Sequence, residues 1–527
     1  MAVGGLRPPE RHGHFLAVPP LAQARTLLDA NRAILHQPRP LLGDRPLAEL
    51  RQEAIHEAVQ AAQNYARQHR FALPRHDPTS LVVTGHQPEL FHPGVWAKNF
   101  PTALLAQRLG CGGMNVIVDN DVVKSPLLRL PRLWDGRWLA SVCPYDRPAG
   151  SVPYEEALVQ DERLLASLPR RVAEAAADWP FRPLLAEYWS ALGRSDRLGE
   201  RLAAGRHRLE ERWGWCNLEV PLSRLAHTRS FARFCRHILE DLPRFWEAYN
   251  TELAAFRTRR RVTDPNRPIP DLHRRDDWLE APFWVWSSQW PQRQRLYVRR
   301  RGSKLELAAE TVPLAEVEGD ELEAWLLASP SPASSGWKLR SRALTTTLFL
   351  RLFLADLFVH GIGGAVYDEV TDGIVRRFYG LEPPRFLTLT ATLRLPFAGC
   401  AQARGQAEAA VRHLRHCRRR LWYQPERYLT DCDDPLLQQL LDRKRHWIEQ
   451  QPRDAKQRRE RWRQLQEATA ALREYVTSQA QAVQQELDRQ EQLLAQHEVQ
   501  CHREYAFCLH PKESIQQLIA SLEQAIG

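Results

Sequence analysis

Methionine occurs only twice in this chain of 527 residues. No two of its nine cysteines form a Cys-x-x-Cys pair, and their number is odd. A disulfide framework is therefore not expected, and a reducing, cytoplasmic setting is. No Gly-x-Ser-x-Gly sequence occurs, so a hydrolase elbow has no support. Residues 1–20 carry Arg, Pro and His where a signal peptide would have an apolar core. Long uninterrupted apolar runs are also missing. The most apolar one, Ala343 to Val359, contains Arg351 and Asp356. A membrane span would have to bury both, so the run reads as a core helix and no membrane partner is expected.

What is present suits a globular chain. Hydrophobic residues make up 43% and charged residues 26%, and the length implies two or three domains. Arg far outnumbers Lys, a bias of the coding sequence to which no function is assigned. The net charge is +10, but Arg443 to Arg463 holds nine Lys or Arg against three Asp or Glu. Such a patch can attract nucleic acid. It reads better as a solvated helix face, so nucleic acid is not expected as a partner.

Along the chain, Leu21 to Arg67 reads as two helices with Pro38 and Pro40 between them. Leu81-Val82-Val83 is an apolar, β-branched strand that stops at Thr84-Gly85-His86-Gln87, and a helix follows from Val95 to Leu109. A second strand, Met114 to Val118, ends in Asp119-Asn120-Asp121. Trp134 to Pro153 reads as mixed and turn-rich. Asn217 to Ser223 reads as a strand entering a loop, and Phe231 to Phe256 as a helix. Strands are expected over Ala281–Trp286 and Arg295–Val298, and a Pro/Ser loop from Pro330 to Gly336. Leu344 to His360 reads as a buried helix and Ala365 to Phe378 as the next. Leu387 to Leu395 alternates Leu or Ala with Thr or Arg, a period-two strand. Beyond Pro396, Leu465, Leu472, Val476, Val483, Leu487 and Leu494 recur at spacings of 7 and 4. That is coiled-coil spacing, and helices over Gln402–Leu421 and Asp454–His497 are expected to pair as an antiparallel hairpin. The expected fold class is α/β, with a Rossmann-like parallel-sheet core over residues 1–400 and a helical coiled-coil domain over 401–505. A tail over 506–527 packs back on the core.

Three stretches carry chemistry. At Thr84-Gly85-His86-Gln87 the glycine allows close approach of a ligand, Thr84 and Gln87 offer hydrogen bonds, and His86 titrates near neutrality. Ligands of open α/β sheets bind at such strand ends. Asp119 and Asp121, one residue apart, point to the same side if the strand alternation continues. They then bind Mg²⁺ or a substrate amine, or share a proton, or else cap a helix. His360-Gly361-Ile362-Gly363-Gly364 precedes a helix and either cradles an anion or turns one helix into the next, with Tyr367, Asp368 and Glu369 beside it. It is neither a Walker loop nor a dinucleotide fingerprint, since no Gly-Lys-Ser/Thr follows and no strand is expected before it. His497, Cys501, His502, Cys508 and His510 match no standard zinc spacing, so no resident metal is expected.

Together these residues resemble the BshC family, the cysteine-adding enzymes of bacillithiol biosynthesis. Thr84-Gly85-His86-Gln87 with Leu90-Phe91 resembles that family's Thr-Gly-Gln-Gln…Leu-Phe motif. Asp119 to Asp121 stands where the family has an acidic Glu-Asp-His-Asp stretch. The glycine loop, Tyr367 and a later strand ending in Arg394 resemble its Gly-Gly-Pro…Glu…Tyr loop and following strand. The resemblance implies a Rossmann-like core, a coiled coil that can pair two copies as a homodimer, and small-molecule substrates. The implied reaction ligates cysteine, or a similar amino acid, to the amine of an amino-sugar such as glucosaminyl-malate. ATP or ADP with Mg²⁺ would serve activation. His86, Asp119 and Asp121 are then the catalytic groups. Thr84, Gly85, Gln87, His360, Gly361, Gly363, Gly364, Tyr367, Asp368, Glu369 and Arg394 bind substrate or phosphate. The chain departs from the family by His86 for Gln, by the lack of His in the acidic stretch and by the lack of Pro in the glycine loop. Two other readings stay open: a nucleotide-using transferase of unknown substrate, and a coiled-coil scaffold or nucleic-acid binder acting through Arg443 to Arg463.

Overall fold

The computed structural model describes residues 5–37, 41, 42, 45–73, 78–264, 266, 267, 269–328, 336–429 and 434–527. Pro38, Pro40 and most of the expected Pro/Ser loop, residues 330–335, lie outside the described residues. The architecture is mixed α/β. Its central sheet has six strands: β1 (His14–Val18), β2 (Leu81–His86), β3 (Gly112–Ile117), β4 (Leu218–Pro221), β5 (Leu357–His360) and β6 (Phe386–Thr392). Their order across the sheet is β1-β6-β5-β2-β3-β4, with β1 antiparallel at the edge and the other five parallel.

Apolar layers cover both faces, which is why these strands read as continuous hydrophobic runs. Successive side chains alternate between the layers. Leu81, Val83, Met114, Val116, Leu218, Val220 and Phe358 join one core with the helices Leu47–His69, Arg229–Glu240 and Leu242–Arg260. Val82, Leu357, Val359, Leu387, Leu389 and Ala391 join the other with Ala24–Leu35, Asn99–Leu109 and Lys512–Ile526. The period-two reading of β6 holds, but its Thr388, Thr390 and Thr392 face is buried as well.

Several expectations are corrected. The stretch Leu344 to His360 is not one helix. A helix spans Ala343–Phe349, a wide turn follows in which the Ala355 amide donates to the Leu350 carbonyl at 2.7 Å, and β5 runs from Leu357. Arg51 ends the helix by donating to the Leu352 carbonyl at 2.6 Å and the Ala355 carbonyl at 3.3 Å, and it pairs with Asp356 at 2.6 Å. The turn-rich reading of Trp134 to Pro153 missed a hairpin, Leu127–Trp134 with Arg137–Pro144, turned by Asp135-Gly136 with both residues at positive φ. The strand Trp278–Ser287 belongs to a second, antiparallel sheet with Gln294–Arg301, Lys304–Ala309, Val312–Val317 and Trp337–Ser341. Phe283, Val285, Leu296 and Leu307 seat that sheet in the first core.

The helix expected over Asp454–His497 is two, Ala455–Glu474 and Thr477–Gln500. The break falls at Tyr475-Val476. Cys400–Tyr423 runs antiparallel to Thr477–Gln500, with Arg415 on Glu491 at 2.8 Å and Arg418 on Gln484 at 3.2 Å. Ala455–Glu474 packs on Pro435–Glu449, where Arg443 meets Glu467 at 2.8 Å. Contrary to the expectation of no bridge, a disulfide joins Cys400 to Cys501 across 101 positions, where only the antiparallel pairing of the helices makes them neighbours. No helix among the described residues is long and apolar enough to cross a membrane.

Gly94 lies in a short helix, Pro93–Trp96, that presses on β6. A Cβ there would lie 2.4 Å from the Ala391 carbonyl oxygen, whereas one on Gly363 would meet nothing within 4 Å. Gly94→Ala should therefore cost roughly 1–3 kcal/mol, and Gly363→Ala, inside a helix, should cost nothing or stabilise. Urea midpoints of the two variants check this. Equal midpoints would mean that the Gly94 turn does not bear on β6.

Candidate functional site at the parting of the strands

From β2 the chain moves to β3 and β4 on one side, while β5 and β6 lie on the other. The loops after β2 and β5 therefore diverge, and a crevice opens between them at the carboxyl ends of the strands. A cavity of about 920 Å³ occupies it, near the upper end of the size range of small-molecule sites.

The glycine loop forms one wall. Since β5 precedes it, the sequence expectation of no strand there is overturned, and the unit is strand, glycine turn, helix (Ile362–Ile374). Gly361 caps that helix, so the first amide groups of the helix have no intrahelical acceptor. Cβ atoms on Gly361 or Gly363 would meet open space, while one on Gly364 would strike the His360 ring. His360 is held by Asp368, Nε2 to Oδ2 at 2.8 Å, and Asp368 also accepts from Arg351 at 2.7 Å and Thr347 at 2.8 Å. Burial works to raise the Asp368 carboxyl, but Arg351 and His360 outweigh it and hold it well below the usual range. Burial lowers the His360 imidazole against the pull of Asp368.

The β2 loop forms the facing wall. Burial, with Arg206 and Lys98 nearby, pushes His86 down to about 3, so it is a neutral ring and not a titrating base at neutral pH. Its Nε2 lies 3.2 Å from Asn99 Oδ1. Lys98 donates to the Gly85 carbonyl at 2.8 Å, and burial pushes its ammonium down to about 8. It is paired with no carboxylate among the described residues. Gln87 donates to Asp121 at 3.1 Å. The second sheet supplies Arg293, 3.1 Å from Asp121, and Arg342, 2.5 Å from Glu280. With Arg503 also on the wall, four cations line the cavity against the single carboxylate of Asp121 among the described residues.

Gly85, His86, Gln87, Asp121, His360, Gly361, Gly363, Gly364 and Tyr367 thus meet in one cavity. The other expected residues do not. Thr84 is fully buried and donates to the Val359 carbonyl at 2.9 Å, so its hydroxyl ties β2 to β5. Asp368 sits behind His360, Glu369 pairs with Arg260, and Arg394 stands beside His12. The expected pairing of Asp119 with Asp121 is also overturned. Strand geometry ends at Ile117, the Asp119 amide turns back onto the Ile117 carbonyl at 3.0 Å, and the two carboxylates enter different cavities. Sequence reading missed Lys98, Arg293 and Arg342. Lys98 stands one helical turn beyond the β2 loop and was findable there, but the two arginines arrive from a separate sheet.

Behind the β2 wall lies a buried charge group. Arg206 reaches Glu210 at 2.9 Å and Glu219 at 2.7 Å, and His207 lies 3.4 Å from Glu211 and 3.5 Å from Glu219. His207, Glu210 and Glu219 are residue types and distances that can hold a metal. Arg206 already engages both glutamates, which fits a closed charge network better than an ion site. No known protein-family model matches this chain, and no curated protein sequence matches it.

Burial lowers the His207 imidazole, but the carboxylates of Glu211 and Glu219 outweigh it and raise it to about 9. Its folded value lies above the ordinary 6.5, so its contribution is fully present below pH 6.5 and is lost as pH rises through about 9. That is on the order of 3 kcal/mol. Urea midpoints at about pH 6 and about pH 9.5 should fall for the native chain and converge on those of His207→Gln at the higher pH. A constant gap between the two proteins would show that His207 does not titrate with folding.

Proposed function

We propose that the chain is an amide-forming ligase of the kind the BshC resemblance implies, with the crevice between β2 and β5 as its active site. In this reading the core is Rossmann-like and the long helices form a coiled-coil arm. The substrates are cysteine or a similar amino acid and the amine of an amino-sugar such as glucosaminyl-malate. One observation carries the proposal: an open, glycine-lined helix start shares one cavity with Lys98 and Arg503, which pair with no carboxylate among the described residues. Amide groups at a helix start and nearby cations select an anion such as a phosphate or carboxylate.

A nucleotide fits those donors. Gly361, Gly363 and Gly364 with Lys98 would hold its phosphates, and it would supply activation of the carboxyl group. Among the described residues Asp121 is the one wall carboxylate, and Arg293 already engages it, so Mg²⁺ would depend chiefly on phosphate oxygens. His86 and His360 orient ligands as neutral donors or acceptors. A second reading, a nucleotide-using transferase of other substrate, draws on the positions of Asp119, Asp368 and Glu369 outside the cavity. It keeps the anion site and gives up the amine site of the resemblance.

Gly363→Asp places a carboxylate in open space on the cavity wall. ATP at about 100 times its Kd should stabilise the native chain by about 2.7 kcal/mol, read as a raised melting temperature, and should not stabilise Gly363→Asp. ATP, Mg²⁺, cysteine and glucosaminyl-malate together should yield the amide, detected by mass spectrometry. Stabilisation without product favours the transferase. No stabilisation of the native chain by ATP or ADP sinks both readings.

A further inference from the structure

A second cavity opens beyond Asp119, at the carboxyl ends of β3 and β4. Its volume is about 290 Å³, the size for an amino-acid-like metabolite and too small for a nucleotide. None of its lining residues lines the larger cavity. Asp119 accepts from Ser223 through the backbone amide at 2.9 Å and through the hydroxyl. Glu155, also on the wall, is matched by the fork of Arg340 at 2.7 and 2.9 Å. That leaves Asp119, whose carboxyl burial and the neighbouring Glu155 push up to about 7, and Glu200 as acids, with Arg197 and Arg224 as cations, on one small wall.

Two groups there lack partners among the described residues. Tyr65 is fully buried and lines the cavity, yet its hydroxyl has no hydrogen-bond partner. Arg197 Nη1 is buried without a partner as well. Unpaired buried donors are costly and are retained where something else satisfies them. Two orphan donors beside an acid that lacks a cationic partner among the described residues match a small ligand that carries both an anion and a cation.

We propose that this pocket is a separate binding site for a free α-amino acid, its carboxylate on Arg197 and the Tyr65 hydroxyl and its ammonium on Asp119. The proposal goes beyond the ligase reading, which needs only the larger cavity. The test is calorimetric titration of the full chain with each of the twenty common amino acids. At least one should bind. Tyr65→Phe should weaken it about tenfold or more without lowering the melting temperature, since the lost hydroxyl had no partner. Arg197→Met, at a partly exposed position, should weaken it similarly and serves if the first variant misfolds. Gly363→Asp should leave it unchanged. Absence of binding by every amino acid overturns the proposal. So does binding that Tyr65→Phe and Arg197→Met both leave intact, or binding that Gly363→Asp abolishes. ATP stabilisation of Tyr65→Phe reports on the larger cavity alone, so the two ideas fail separately.

Discussion

A guanidinium cannot be taken out of water unless its charge is met, and much of the site follows from how Arg206 meets that condition. Burial disfavours its charge, but Glu210 and Glu219 more than restore it. Glu219 belongs to β4, Glu210 to the helix Leu198–Arg212. Glu210 also accepts from Trp96 at 2.5 Å and Asn99 at 2.8 Å. Asn99 in turn meets His86 at the end of β2. The loop that faces the cavity is thus pinned from behind by a network whose members cannot move singly without exposing a charge. The same cationic centre helps keep His86 neutral.

Arg351 does the equivalent work on the opposite wall. It closes on Asp368 and Asp372, each at 2.7 Å, and Asp368 then fixes His360. Arg51, Arg340 and Arg342 are likewise buried against carboxylates. The planar fork of Arg suits bidentate pairing of this kind. A large arginine content therefore serves the interior here, and on the wall of the larger cavity Lys98 and Arg503 are the cations without a carboxylate partner among the described residues.

Much of the local structure was legible. The apolar runs at Leu81 and Met114 and the alternation of β6 name their strands because burial on both faces requires such residues. The glycine loop announced itself as a place where backbone is exposed. The strand β5 was not legible. Phe358 and Val359 continue the apolar run past Asp356 with no turn residue between, and Arg51 and the slot between β2 and β6 end the helix there. The second sheet was half seen, since three of its strands carry charged and Ala residues whose pairing depends on distant partners.

The sequence by itself determined the alternating layers, the strand end at Thr84-Gly85 and the helical character of the C-terminal third. These depend on side chains within a few positions of each other, whose spacing fixes which face they share. Tertiary structure alone decided that Thr84 ties two strands, that Asp119 and Asp121 part company, that His86 stays neutral while His207 is charged, and that Lys98, Arg293 and the glycine loop share a cavity. Each depends on groups far apart in the chain. The ionisation of a buried side chain is set by the charges packed against it, and those are chosen by the fold.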